Sequence, residues 1–143
     1  MPKRTYLDSG VLLAAFRMKE EIGRRAMEIL DDPDRTLVVS DAVWLEVMPK
    51  PLYQGEEEEV SFYCTIFADA ERYGWNLEVL SNAQRVAEQY GIAAMDAIHV
   101  AHALEAGVDE FVTSEKPTKP LFRAKGITLR SIQVEGLLEK NIL

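Results

Sequence analysis

Short runs of β-type residues alternate with longer helical runs along the chain, and this alternation constrains the fold most strongly. The strand-type runs lie at residues 5–7, 37–39, 75–80, 111–113 and 127–132. Strand–helix alternation is typical of a parallel sheet covered by helices, because parallel strands need a crossover connection. The pattern therefore predicts an α/β fold: a three-layer α/β/α sandwich with a central, mainly parallel sheet of about five strands.

The helical runs are recognised by apolar spacing and by the residues that begin and end them. They lie at residues 11–16, 20–30, 42–48, 54–70, 81–90 and 93–106. Ser81 and Gln84 have the spacing of a capping box, so they should open the fifth helix. Pro49 and Pro51 should end the third helix, and Gly107 should close the last.

Composition places the chain among ordinary globular proteins and predicts one domain over residues 1–143. Its 143 residues are 48% hydrophobic and 28% charged, with a net charge of 16 − 24 = −8. A negative total argues against broad coating of nucleic acid, although it leaves room for a local basic patch. The single cysteine, Cys64, forms no internal disulfide, and its place on an apolar stripe of the helix at 54–70 argues against a nucleophilic thiol.

Targeting and membrane signals are missing from the sequence. No apolar run approaches the roughly 20 residues of a membrane helix. The N-terminus, MPKRTYLDSG, has two basic residues but no apolar core of signal-peptide length. We therefore expect a cytoplasmic protein without a membrane partner.

Four acidic residues from separate segments stand where an α/β sheet gathers its ligands. Asp8 follows the first strand, Glu46 lies in the helix after the second, Asp96 is near the start of the last helix and Glu115 follows the fourth strand. Ligands bind at the carboxyl ends of parallel strands, where the strand order reverses. Clustered carboxylates repel one another unless a divalent cation neutralises them. The set therefore predicts an Mg²⁺ or Mn²⁺ site suited to phosphodiester hydrolysis.

Each acid also has an ordinary structural interpretation. Asp8 can cap the first helix together with Ser9, and Asp96 can interact with a helix dipole. Glu46 can be a surface or ion-paired glutamate, and Glu115 an unremarkable loop residue. The ordered set is more specific than any of its members.

Several segments resemble the PIN-domain nuclease family, which includes VapC-like toxins. They are TYLDSGVLLAAF, SDAVWLEV, MDAIHVAHALEAGVDEFVTSEK and GITLRSI, and they cover most of the chain. The resemblance implies that Asp8, Glu46, Asp96 and Glu115 are catalytic, metal-binding acids with Mg²⁺ or Mn²⁺ as cofactor. It further implies an endoribonuclease with an RNA substrate, a homodimer and, for a toxin, a small antitoxin partner.

The sequence departs from the family pattern at the last acid. Glu115 stands where the family more often has Asp, and the loop after it carries Pro117 and Pro120. Glu115 is therefore expected to bind metal only through water, or not at all. Asp109 is a nearby substitute, but it precedes the fourth strand and should lie at the wrong end of the sheet.

Polar residues beside the acids have two interpretations each. Ser9 and Thr113 can hydrogen-bond the acids from behind, or they can be a helix cap and a strand end. Lys116, Lys119 and Arg123 can contact RNA phosphates, or they can belong to a solvated loop.

Two histidines, His99 and His102, lie three residues apart on the last helix. We interpret them as hydrogen-bonded packing residues rather than as metal ligands, because the chain offers no third nitrogen ligand. Phosphate-binding glycine motifs and the GxSxG turn are also missing. The main alternative is a catalytically inactive PIN-like module that binds RNA or a protein partner. If the chain is instead a toxin held inactive by its partner, Trp44 and Tyr53 are candidate contacts of that partner.

Overall fold

The central sheet contains five parallel strands in the computed structural model, which describes residues 1–133. The strands are β1 (Lys3–Leu7), β2 (Arg35–Ser40), β3 (Glu71–Tyr73), β4 (Glu110–Thr113) and β5 (Leu129–Ser131). Their spatial order is β3-β2-β1-β4-β5, and every neighbouring pair is parallel. The predicted α/β fold class is confirmed. Residues 134–143 of the predicted single domain lie outside the described residues.

Helices connect the strands and cover both faces of this sheet. They are α1 (Ser9–Arg17), α2 (Glu20–Leu30), α3 (Asp41–Val47), α4 (Pro49–Gln54), α5 (Glu57–Asp69), α6 (Leu77–Tyr90) and α7 (Ala94–Ala106), with a short 3₁₀ helix at Pro120–Arg123. Parallel crossovers are right-handed, so connections that run in opposite directions across the sheet lie on opposite faces. Helices α1 to α5 therefore cover one face, and α6 and α7 cover the other.

The three central strands are buried on both faces. Tyr6, Leu7, Val38, Phe111 and Val112 are all fully buried. Parallel strands between two helical layers are continuous hydrophobic runs, because neither face meets water. Connections lead away from β1 towards β2 on one side, and from β4 towards β5 on the other, so the strand order reverses between β1 and β4. The carboxyl ends of these two strands form a crevice of the kind in which α/β sheets bind ligands.

The prediction of a third strand at residues 75–80 is wrong. That segment contains the start of α6, and β3 is a three-residue edge strand at Glu71–Tyr73. Asn76 caps α6, because its Oδ1 accepts the backbone N–H of Val79 at 2.8 Å. The apparent alternation misleads because Leu77 is 84% exposed in the first helical turn, whereas Val79 is buried. The capping box at Ser81 is also wrong, since that residue lies inside α6.

The corrected helix start gives a direct stability test. Asn76→Ala should lower the free energy of unfolding by about 1 kcal/mol, because it leaves a first-turn N–H without its acceptor. Ser81→Ala should change it by less than about 0.5 kcal/mol, as expected for an exposed position inside a helix. Urea unfolding of both variants compares the two sites, and a larger loss in Ser81→Ala would contradict the assignment.

The helix predicted over residues 54–70 is α5, which starts three residues later than predicted, and a short helix that was not predicted precedes it. α3 ends at Val47, as the prolines predict, but Pro49 then opens α4, since the first helical turn tolerates proline. Gly55 ends α4 with a φ of 70°, and α5 starts at Glu57 with three glutamates in its first turn. Cys64 is exposed, so its expected place on the buried stripe of this helix is wrong. Within residues 1–133, every helix is too short or too polar to span a membrane.

Candidate metal centre

Asp8 lies at the carboxyl end of β1 and is the most buried acid of the predicted set. Its side chain is the N-cap of α1, where Oδ1 accepts the backbone N–H of Gly10 at 3.0 Å. Its other oxygen, Oδ2, accepts the hydroxyl of Thr113 at 2.5 Å. Asp8 is only 7% exposed. It therefore caps α1 and at the same time lies in the crevice at the end of β1.

The buried position changes the ionisation of Asp8. Burial raises the pKa of Asp8 to about 6, and the charge of Asp96 acts in the same direction. The hydrogen bond from Thr113 and the nearby His99 oppose that rise but do not cancel it. An acid in this state is an uncompensated negative charge at neutral pH, which a cation would stabilise.

Thr113 joins Asp8 to the loop that carries Glu115. Its Oγ1 donates to Asp8 and accepts the backbone N–H of Glu115 at 3.0 Å. The carbonyl of Glu115 accepts the hydroxyl of Ser131 at 2.5 Å. The strand ends of β4 and β5 therefore position the backbone of Glu115 beside Asp8.

Asp96 lies in the first turn of α7, on the other face of the sheet. Burial raises its pKa, and the charges of Glu115 and Glu46 raise it further, while His99 opposes them. These electrostatic influences link acids from α3, α7 and the loop after β4. Asp96 is therefore the acid that is linked by charge to each of the other three, Asp8, Glu46 and Glu115.

Glu46 is held by two neighbours. Its Oε1 lies 2.5 Å from Nε2 of His99, and the Ser9 side chain also hydrogen-bonds it. Burial acts to raise the pKa of Glu46, but the hydrogen bonds from His99 and Ser9 outweigh it and the pKa is lowered. Glu46 therefore carries its charge more readily than Asp8 does.

Tyr6 and Ser40, behind the acids, were not predicted as part of the site. The hydrogen bond of His99 to Glu46 was not predicted either. The hydroxyl of Tyr6 lies 2.8 Å from both Ser40 Oγ and His99 Nδ1. A sequence signal existed for His99, because residues three apart on a helix share a face and His99 follows Asp96 by three. His102 differs from its prediction: within residues 1–133 neither of its ring nitrogens has a hydrogen-bond partner.

The predicted basic residues divide into two groups. Lys116 and Lys119 are exposed and close a turn in which Lys119 N–H donates to the carbonyl of Lys116 at 3.0 Å. Arg123 Nη1 instead donates to the carbonyls of Tyr90 and Gly91, so it fastens the α6–α7 loop. Asp109 lies at the amino end of β4, away from the site, where it accepts the backbone N–H of Arg4 at 2.8 Å.

The donor chemistry of the site fits a hard divalent cation. Carboxylate oxygens are the ligands that Mg²⁺ and Mn²⁺ prefer, and burial, together with neighbouring acids, raises the pKa of Asp8 and Asp96, so a bound cation would stabilise their charged forms. Among residues 1–133, no three acidic, histidine or cysteine side chains already stand in a metal-binding arrangement. Binding would therefore require the side chains of Asp96, Glu46 or Glu115 to turn towards Asp8.

Comparisons with known proteins agree with this architecture. The family model of the PIN domain matches residues 5–117. The chain is similar to a VapBC-1 structure from nontypeable Haemophilus influenzae, with 15% identity, a TM-score of 0.67 and coverage of 92% of this chain and 99% of the other. It is similar to a VapBC2 structure from Rickettsia felis bound to promoter DNA, with 17% identity, a TM-score of 0.65 and coverage of 90% and 98%.

A third similar structure is VapC20 from Mycobacterium tuberculosis, described as a toxin that cleaves the sarcin–ricin loop. The identity is 11%, the TM-score is 0.63, and the coverage is 81% of this chain and 92% of the other. No curated protein matches the chain. At these identities the solved structures establish a shared fold.

Proposed function

This chain belongs to the PIN domain family, and from that premise we propose that it is a metal-dependent ribonuclease. It hydrolyses RNA phosphodiester bonds at Asp8, Glu46, Asp96 and Glu115, with Mg²⁺ or Mn²⁺ as cofactor. The observation that supports the proposal is the buried Asp8 carboxylate, which feels the charge of Asp96, while Asp96 in turn feels the charges of Glu46 and Glu115. An apolar or neutral ligand would leave this charge uncompensated.

The four acids would hold the cation in different ways. Asp8, fixed by Gly10 and Thr113, is the rigid member of the set, and the charge of Asp96 in α7 acts on it. When bound, the cation supplies a water of lowered pKa and neutralises charge on the phosphate. Lys116 and Lys119 lie on the exposed turn beside Glu115, where they can contact the RNA backbone.

A cleavage assay on a labelled single-stranded RNA tests the proposal. We expect cleavage in Mn²⁺, none in EDTA and a loss of at least about 100-fold in Asp96→Asn. Asp109→Asn, an acid at the opposite end of the sheet, should keep full activity. Cleavage that survives EDTA or Asp96→Asn would come from a contaminating nuclease, and absence of cleavage in every metal would favour the inactive module.

Partners belong to the same proposal. We propose that the protein is a toxin component held by a small antitoxin, because similar solved structures are toxin–antitoxin complexes. We also propose, from the family resemblance, that it forms a homodimer. Tyr53 is 93% exposed at the end of α4, beside Leu52 at 58%, and offers apolar surface to such a partner. Light scattering on the purified chain tests the dimer, and a monomer at all concentrations would contradict it.

A further inference from the structure

A continuous hydrogen-bond chain runs from Ser40, at the start of α3, through Tyr6 of β1 and His99 of α7 to Glu46, near the end of α3. Ser40 Oγ lies 2.8 Å from the Tyr6 hydroxyl, which lies 2.8 Å from His99 Nδ1, and His99 Nε2 lies 2.5 Å from Glu46 Oε1. The first three side chains are buried, with His99 only 3% exposed. Water therefore does not compete for these hydrogen bonds.

The Glu46 carboxylate fixes the direction of the chain, because it only accepts hydrogen bonds, so Nε2 of the neutral His99 ring carries the hydrogen and Nδ1 accepts from Tyr6. Ser40 is the N-cap of α3, where its Oγ accepts the backbone N–H of Val43, and its own hydrogen is available to Tyr6. The Tyr6 oxygen then accepts from Ser40 and donates its hydrogen to Nδ1 of His99. Burial raises the pKa of Tyr6, so the hydroxyl keeps the proton that it donates.

The tautomer of His99 follows from that direction. A ring nitrogen that accepts a hydrogen bond carries no proton, so the neutral ring has its hydrogen on Nε2. The Nε2–H group points at Glu46 and occupies Oε1. With Oε1 held by His99, and Ser9 as a second hydrogen-bond partner of Glu46, Oε2 is the oxygen that can turn towards the crevice.

We propose that His99 is a positioning residue of the metal centre, which acts by presenting Glu46 through one oxygen. This inference rests on the proposed nuclease function. His99 touches neither the substrate nor the cation in this role. Partners that orient a metal ligand from behind typically change metal affinity or activity by about 10- to 100-fold when they are removed.

Mn²⁺ affinity is the first measurement, by electron paramagnetic resonance of the free ion. His99→Leu should weaken Mn²⁺ binding about 10-fold or more, because Glu46 loses its fixed orientation. His99→Gln keeps a side-chain N–H donor and should recover affinity to within about threefold of the wild type. RNA binding without divalent metal should be the same in all three proteins.

His102 provides a matched control on the same helix. It is fully buried like His99, but both of its ring nitrogens lack hydrogen-bond partners in the described part of the chain. His102→Leu alters the core of α7 without touching Glu46, so it should leave Mn²⁺ affinity and cleavage unchanged. An equal loss in His102→Leu and His99→Leu would mean that His99 acts only through packing, and it would overturn the proposal.

The tautomer is tested separately, by ¹⁵N NMR of the histidine rings in the metal-free protein. We expect the Nε2–H form for His99 in the wild type and a mixture of forms in Tyr6→Phe, which removes the donor to Nδ1. An Nδ1–H form in the wild type, or no change in Tyr6→Phe, would overturn the proposal. A wild type that binds Mn²⁺ through Glu46 but cleaves no RNA would instead contradict the proposed function alone.

Discussion

Asp8→Asn is expected to abolish RNA cleavage while it makes the metal-free protein more stable. The substitution removes the most buried acid of the site, so activity should fall by at least about 100- to 1,000-fold. Burial raises the pKa of Asp8 to about 6 from an ordinary value of 3.8, so ionised Asp8 destabilises the folded state. Its neutral replacement should raise the free energy of unfolding by up to about 3 kcal/mol at pH 8.

The pH dependence of that gain follows from the direction of the shift. A carboxyl whose pKa is higher in the folded state binds its proton more tightly there. The folded protein therefore loses stability as the pH rises from about 4 to about 6. Wild type and Asp8→Asn should therefore be similarly stable at pH 4 and should differ fully at pH 8. Urea unfolding at both pH values measures this difference.

Mn²⁺ should reverse the order of stability. Bound metal stabilises only the folded wild type, by about 2.7 kcal/mol at one hundred times the dissociation constant. Asp109→Asn, at the other end of the sheet, serves as the control and should respond to Mn²⁺ like the wild type. An Asp8→Asn protein that is less stable than the wild type at pH 8, or that still cleaves RNA, would contradict the account of the site.

Glu110→Ala is expected to cause the largest loss of stability. Glu110 is 1% exposed at the start of β4, where Oε2 accepts from Thr5 Oγ1 at 2.5 Å and from Arg35 Nε at 2.8 Å. Its other oxygen lies 2.9 Å from Arg130 Nε in an ion pair. Removal of one partner from a buried charge network typically costs about 3–5 kcal/mol, because the opposite charges lose their compensation.

Equilibrium urea unfolding of this variant should show a lower midpoint with an unchanged slope. Glu21→Ala is the matched control, since Glu21 pairs with Arg24 on the surface of α2 and solvent screening leaves such an exposed pair little effect on stability. Glu110 is at the amino end of the sheet, opposite the acids, so the folded fraction of Glu110→Ala should retain Mn²⁺ binding. A loss below about 1 kcal/mol would show that the network contributes little.

Local sequence patterns were sufficient where a helix carries its own start and stop signals. α2 occupies residues 20–30 as predicted, because its apolar spacing is regular and Pro33 follows it. α7 ends before Gly107, which adopts a φ of 65°. The strand prediction at 75–80 was wrong because apolar residues at 77 and 79 fit a strand and a helix equally well. The true strand, β3, is too short to produce a sequence pattern.

The order of the acids along the chain was visible in the sequence, and so was their place after strands or at helix starts. Parallel topology brings the carboxyl ends of the strands to one edge, so this much follows from periodicity and spacing. The burial of Asp8 and its hydrogen bond to Thr113 do not follow, because these residues are 105 positions apart in the chain.

What the sequence determined by itself is the α/β class, the bounds of its most periodic helices and the identity of the candidate acids. Only the tertiary structure decided the role of His99, whose partners Tyr6 and Glu46 lie 93 and 53 residues away. The physical reason is that periodicity depends on near neighbours in the chain. The direction of a hydrogen bond and the pKa of a buried carboxyl depend on groups that folding brings together.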